Sequence, residues 1–474
     1  MTSIILLSVF GIANLFLGFL RSNRILLPAT LLLLLAVFGL NTLDWNRGDA
    51  GFIGQSYLNG MLVVDNFAVA FTGIVVLTAV LLLPFSRSYV AAHEANLAEY
   101  YALLLFALVG AVMMVGYNHL LLLFVGIEIL SVSMYVLAGA EKRNVRSNEA
   151  ALKYFLMGAF ATGILLFGIA LLYGATGTFE LNKLAAAIQN PVNASLQPMT
   201  YIGILLMLVG IAFKVGAAPF HFWTPDVYEG TPMFFTAFMS TVVKTAGFAA
   251  FLRLLVVAFP AAQGFWLPTV AAMCGLTLLI GNVGAAVQTS AKRMLAYSSI
   301  SHAGYLLISL VAMNGQLGGP SANGLFFYSL AYSVATVAAF GVLKLVAEQR
   351  GREDYAGLHG LARTTPLLAF SLTVSMLSLA GIPLTGGFFG KFFVFTAAAD
   401  HGYIGLVVFA VIMSMVGIYY YLRPVIAMYL QPAPEGSEGA PVVVDGTQSA
   451  TLVLLIGLTV ALGVPPGLGS GLLK

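Results

Sequence analysis

Long apolar runs separated by short polar connections fill this chain from end to end, and their length carries the first inference. A bilayer core about 30 Å thick needs about 20 consecutive apolar residues in a helix. Runs of that kind fall near 3–20, 25–43, 61–85, 98–116, 118–138, 153–174, 199–219, 233–257, 266–288, 294–313, 324–347, 366–399, 402–430 and 449–470. The expected fold is therefore an all-α integral membrane protein with about 14 transmembrane helices. The opening stretch MTSIILLSVFGIANLFLGFL has no basic leading segment and no A-x-A site, so it is read as the first span rather than a cleaved signal. Connections reach only about 20–25 residues, too short to bury a soluble core.

Composition agrees. The 474 residues are 60% hydrophobic and 8% charged, where soluble domains carry about 25% charged residues. The net charge of +3 points to no acidic partner or nucleic acid, because nearly all charges lie in connections. Cys274, the single cysteine, excludes an intrachain disulfide or a cysteine metal cluster. Neither GxGxxG nor a P-loop occurs, and no nucleotide or flavin site is expected within this chain. Arg21, Arg24, Arg87, Lys142, Arg143, Arg146, Lys292, Arg293, Arg350, Arg352 and Arg363 follow odd-numbered spans, whereas even-numbered spans are followed only by Arg47 and Lys183. Basic loops stay cytoplasmic, which predicts both termini on the outer side.

Two spans carry helix breakers at mid-depth. Lys214-Val-Gly-Ala-Ala-Pro219 interrupts the seventh, and Gly381-Ile-Pro383-Leu-Thr-Gly-Gly387 interrupts the twelfth ahead of Lys391. Proline removes a backbone donor and clashes with the preceding turn. Non-helical backbone is tolerated at that depth only inside protein or along a cavity. Breaks five spans apart invert the topology, as in transporters built from inverted repeats. The chain is accordingly divided into three N-terminal spans (1–97), two inverted five-helix repeats (98–259 and 260–430) with broken seventh and twelfth helices, and a C-terminal loop and helix (431–474). For either break alone, the alternative is a proline kink without function.

Glu128, Lys214, Lys244 and Lys391 lie inside apolar runs. A charge near the bilayer centre costs roughly 2.5–3.5 kcal/mol and persists mainly where it faces protein or a wet path. Helical spacing places Glu128, Ser131 and Tyr135 on one face, Thr236, Ser240 and Lys244 on a second, and Ser298, Ser301, His302 and Tyr305 on a third. Whether a buried lysine holds its proton depends on burial and on the nearest carboxylate. A charge approaching or leaving Glu128 would thus change the protonation of Lys214. A static Glu128–Lys214 ion pair is the alternative, although it leaves Lys244 and Lys391 without acidic partners. Lys153 and Lys344 are read as snorkelling, Arg253 and Arg423 as anchors, Asp226 and Glu229 as solvated loop acids. His93, His359 and His401 lack ligand spacing, and the sequon Asn193-Ala-Ser195 is set aside.

The stretches GIEILSVSMYVLAG, FKVGAAPFHFWTPDVYEGTP, KRMLAYSSISHAGYLL and SLAGIPLTGGFFGKFFVF closely resemble the antiporter-like membrane subunits of bacterial NADH:quinone oxidoreductase, respiratory complex I. The resemblance runs through about residues 60–430. That family also includes cation/proton antiporter and membrane-bound hydrogenase subunits. Lys391 stands where the M-type subunit typically carries glutamate, and the long lateral helix of the L-type is missing after the last span. The resemblance implies a proton relay of Glu128, its partner Lys214, the central Lys244, the connecting His302 and the terminal Lys391, with His221 a weaker match after the first break. It also implies no cofactor in this chain, with FMN, iron–sulfur clusters and quinone held by other subunits. The partners it implies are other membrane subunits, including antiporter-like subunit M and small membrane subunits, in a bacterial inner membrane.

Overall fold

The computed structural model describes residues 1–18, 25–45, 55–87, 97–191, 193–313, 315, 317–432 and 441–464. His93 and the last residues of the run near 449–470 lie outside them. Eleven helices among the described residues are long and apolar enough to cross a membrane. Thr2–Leu17, Pro366–Ala380 and Gly446–Ala461 are apolar but shorter.

The helices begin where short polar side chains take up free backbone donors. Asp65 accepts from Ala68 N at 2.7 Å, Asn144 from Arg146 N at 3.1 Å and Ser290 from Arg293 N at 3.4 Å. Leu97–Gly116 and Leu120–Ala138 cross at two glycines. A Cβ on Gly110 would stand 2.6 Å from the Gly126 carbonyl oxygen, and the backbones approach closely only because neither residue has one.

Three helices are the most enclosed among the described residues. Nearly all residues in the apolar stretches of Met233–Ala258, Ala291–Val311 and Pro320–Arg350 are buried, whereas Ile404–Leu430 buries only a minority and exposes apolar side chains such as Ile404, Val408 and Met415. Lys244 and His302 thus sit on the two most enclosed helices.

Several local features depart from the expectations. A short antiparallel hairpin, Gln55–Tyr57 with Leu62–Val64, precedes the third long helix, which starts at Asn66 rather than near 61. Its turn places Leu58 and Asn59 at positive φ. Leu181–Gln189 forms an amphipathic helix too short to span, burying Leu181 and Leu184. The anchors and snorkelling residues are tied to protein instead. Arg253 is buried, donating to Asp65 at 2.7 Å and to Val115 O at 2.9 Å. Arg423 donates to the carbonyls of Ala286 and Gln288. The ammonium of Lys344 pairs with Glu348 at 2.5 Å. Asp226 and Glu229 lie on the Trp223–Gly230 helix and pair with Arg293, and Asp226 also takes Lys153 at 2.8 Å. Each of these cations meets an acid or a carbonyl of the protein, from a distant segment for Arg253, Arg423 and Lys153 and from the next turn of its own helix for Lys344.

Candidate functional site

Both interrupted spans stop helically at a glycine in the left-handed region. Gln197–Val215 ends at Gly216 with φ 71°, and Pro366–Ala380 ends at Gly381 with φ 84°. In each, the next amide reaches back five residues, Ala217 N to Ala212 O at 2.9 Å and Ile382 N to Leu377 O at 3.0 Å. This closure satisfies terminal carbonyls that would otherwise be orphaned in apolar surroundings. Trp223 Nε1 then bridges the first break by donating to Phe213 O at 3.0 Å, and Ser378 Oγ bridges the second by accepting from Gly387 N at 3.1 Å.

Lys214 is buried in the last turn before the first break and donates to Ser131 Oγ at 2.7 Å. Ser131 belongs to the face expected to carry Glu128 and Tyr135. Glu128 is half-buried and lies within electrostatic range of Lys214, but forms no ion pair with it, and its Oε1 is buried without a partner. The static ion pair is therefore not formed in this arrangement. His221 and Thr224 follow the break with unpartnered buried atoms, Nδ1 and Oγ1. The Lys214 stem passes beside the next helix at Gly247, one turn beyond Lys244.

Lys244 is 3% exposed and donates to the carbonyl and, at 2.6 Å, to the hydroxyl of Ser299. Tyr332 donates to the same hydroxyl at 3.0 Å. Immediately before Lys244, Met239–Val243 forms a π turn, which adds a residue to the helical repeat. The expected Thr236–Ser240–Lys244 face is broken there. Thr236 and Ser240 bond backbone carbonyls of their own segment, such as Tyr228 O at 3.1 Å and Ala237 O at 3.0 Å.

His302 shares the Ala291–Val311 helix with Ser299. Its Nδ1 lies 2.6 Å from Tyr328 OH and its Nε2 2.9 Å from Tyr421 OH. Tyr421 bonds Ser298, Ser301 meets Tyr420 at 3.3 Å, and Tyr420 donates to Asn282 Oδ1 at 3.0 Å. The third expected face, Ser298–Ser301–His302, is therefore one wall of a hydrogen-bonded cluster. Ser299, Tyr328, Tyr332, Tyr420 and Tyr421 complete it, and the sequence singled out none of these. The mid-span triplet Tyr419–Tyr421 and the helical pair Tyr328/Tyr332 were signals that could have done so.

Lys391 donates to Ala380 O and to Ser414 Oγ, both at 2.8 Å, and its ammonium stands 4.7 Å from the Tyr305 ring centroid. His302 is within electrostatic range of both Lys244 and Lys391. Lys244 thus meets His302 through Ser299 and Tyr332, whereas Lys214 is held by Ser131 and Lys391 by Ala380 and Ser414. Such chains of buried hydroxyls, imidazole and amines can pass protons between fixed donors and acceptors.

Residues 117–417 match the family described as NADH:quinone oxidoreductase/Mrp antiporter, TM. The chain is 38% identical to NADH-quinone oxidoreductase subunit N of Cytophaga hutchinsonii over 98% of each. It is 47% identical to the subunit of the same name from Trichlorobacter lovleyi over 80% of this chain and 77% of the relative. Among solved structures, a chain of respiratory complex I from Thermus thermophilus with bound aureothin superposes with TM-score 0.82 at 37% identity, covering 98% of both. A chain of the Mrp complex from Dietzia sp. shares the fold, with TM-score 0.80 at 24% identity over 99% of this chain and 96% of that one.

Proposed function

The chain belongs to the NADH:quinone oxidoreductase/Mrp antiporter family, and on that premise we propose that it is a proton-translocating membrane subunit of an NADH:quinone oxidoreductase. Its task is to couple electron transfer from NADH to quinone, performed by other subunits, to proton movement through a buried relay. Glu128, Lys214, Lys244, His302 and Lys391 are the stations, with His221 beside the first. FMN, iron–sulfur clusters and quinone belong to other subunits, and the neighbours are antiporter-like subunit M and small membrane subunits.

The observation that carries this reading is the Lys244–Ser299–Tyr332 and His302–Tyr421 cluster, whose members other than Tyr421 lie on the most buried helices, together with the two lysine-bearing helix breaks. A purely structural core would not place an amine, an imidazole and several hydroxyls where apolar side chains of similar volume would pack without desolvation cost. The three shorter apolar helices, taken with the longer ones, support fourteen spans. The matched closures at Gly216 and Gly381 support two inverted five-helix repeats, 98–259 and 260–430, after spans in 1–97 and before a last helix in 431–474. The bias of basic residues supports a bacterial inner-membrane location with both termini outside. A cation/proton antiporter would need clustered hard oxygen ligands for a metal cation, and Glu128 is the one acid among the stations.

Glu128→Ala and Lys214→Ala in the assembled complex test the proposal. The proton-to-electron ratio should fall in both while the complex stays assembled. An unchanged ratio in either would remove the relay from this chain.

A further inference from the structure

His302 and Lys391 are each satisfied within separate clusters, and one buried hydroxyl stands between those clusters without a partner. Tyr305 lies one turn after His302 on the same helix and is 1% exposed. Its ring centroid is 6.0 Å from that of His302 and 4.7 Å from the Lys391 ammonium. Its hydroxyl meets no partner at hydrogen-bonding geometry, yet Ser414 and Asn282 stand close to it and Tyr420 lies within electrostatic range. Ser414 already accepts from Lys391, and Tyr420 belongs to the His302 cluster through Ser301. Asn282 Oδ1 anchors Tyr420 by accepting a hydrogen bond from its hydroxyl at 3.0 Å. Buried phenols normally find a partner. This one is surrounded by groups that could serve and bonds none of them.

We infer that the Tyr305 hydroxyl is the movable link through which a proton crosses between the His302 cluster and Lys391. This deepens the proposed relay and rests on it. A small side-chain rotation brings the hydroxyl into hydrogen-bond distance of Ser414 on one side and Tyr420 on the other. As the Tyr305 O–H bond breaks toward Ser414, a new O–H bond forms at the expense of the Tyr420 O–H bond, and Tyr420 takes a replacement proton from Ser301 of the His302 cluster, so both phenols are neutral before and after. Ser414 passes its own proton to the unprotonated amine of Lys391 in the same way. Asn282 does not titrate, relays no proton and acts as a positioning residue for Tyr420. When the hydroxyl faces neither side the path is open-circuit, and leakage between the two clusters is prevented.

Tyr305→Phe keeps the ring beneath Lys391 and deletes only the hydroxyl. It is to be compared with Lys391→Met in membranes containing the assembled complex, by NADH-driven proton pumping and its solvent deuterium isotope effect. Loss of one hydrogen-bonded transfer step is expected to slow pumping about tenfold in Tyr305→Phe. The isotope effect should rise, and Lys391→Met should be slowed as well. Slowing in Lys391→Met with the parent rate in Tyr305→Phe would overturn the link and leave the relay standing. Parent rates in both would overturn the relay and the link with it, and slowing in Tyr305→Phe alone would overturn the link, since no station then lies beyond it. Should Tyr305→Phe fail to assemble, Ser414→Ala interrupts the same step. A tenfold slowing there supports the link, and the parent rate overturns it.

Discussion

At Gly216 and again at Gly381 the chain leaves a helix in the left-handed region and folds its next amide back onto the helix end, but the two lysines beside these turns are held differently. Lys214 precedes its break and has one hydrogen bond, to Ser131. A carboxylate oxygen of Glu128, within electrostatic range of Lys214, is buried and unpartnered, as are an imidazole nitrogen of His221 and the Thr224 hydroxyl beyond the break. Lys391 follows its break and is saturated by the Ala380 carbonyl, Ser414 and the face of Tyr305. Ala380 ends its helix, so the carbonyl that receives Lys391 lies at the negative end of a helix dipole. The second lysine thus uses a fixed dipole where the first has a titratable acid. The same backbone device serves one site that responds to charge and another that is fixed by geometry.

The largest expected effect tests the shared backbone. A Cβ on Gly387 would sit 1.8 Å from Ser378 O, across the second break. Gly387→Ala should therefore remove the chain from the assembled complex on native gels. Gly216→Ala, at φ 71° with Thr224 Oγ1 3.0 Å away, should cost about 1–2 kcal/mol and still assemble. Equal behaviour of the two would undo the contrast in tightness.

The next effect separates the charges. Glu128→Gln keeps the shape of the side chain but removes the field acting on Lys214, and should slow pumping tenfold or more, about 1.4 kcal/mol or above. Introducing a carboxylate beside Lys391, as in Ser414→Asp, should likewise slow pumping by holding that proton. Faster turnover there would show that the second site lacks an acid by accident.

A smaller loss is expected from Ser131→Ala, which removes the single hydrogen bond of Lys214, worth about 1 kcal/mol. Pumping rate in Ser131→Thr, which restores a hydroxyl, should recover. The smallest effect belongs to an exposed pair away from both breaks. The guanidinium of Arg352 bonds Asp354 at 2.9 Å and holds its carboxyl below the usual range. That contribution is present at neutral pH and lost as acid protonates Asp354. Both groups are well exposed, so Arg352→Gln should cost under about 1 kcal/mol in thermal unfolding at neutral pH and nothing in strong acid.

How much of this was legible in the sequence depends on the distance over which the information acts. A charge within an apolar run is visible from its neighbours alone, and Glu128, Lys214, Lys244 and Lys391 were found that way. The helix breaks announced themselves through local Gly and Pro chemistry. The partners did not. Ser299 receives Lys244 from 55 positions away, and Tyr421 receives His302 from 119. Hydroxyls of these types occur throughout the chain, and only packing selects among them. The face containing Thr236, Ser240 and Lys244 failed for a different reason, because the π turn at Met239–Val243 shifts a register that residue spacing takes as uniform. Arg253, read as an anchor, pairs with Asp65 across 188 positions, a distance at which the sequence offered no hint.

The most direct test of the central claim is Lys244→Met, which retains length and apolar volume and deletes the titratable group that Ser299 holds. Quinone-dependent NADH oxidation and proton pumping would be measured together in membranes where the assembled complex is quantified. The relay predicts that both fall while the complex remains abundant. Both activities at the parental level would contradict it and make the buried lysines structural.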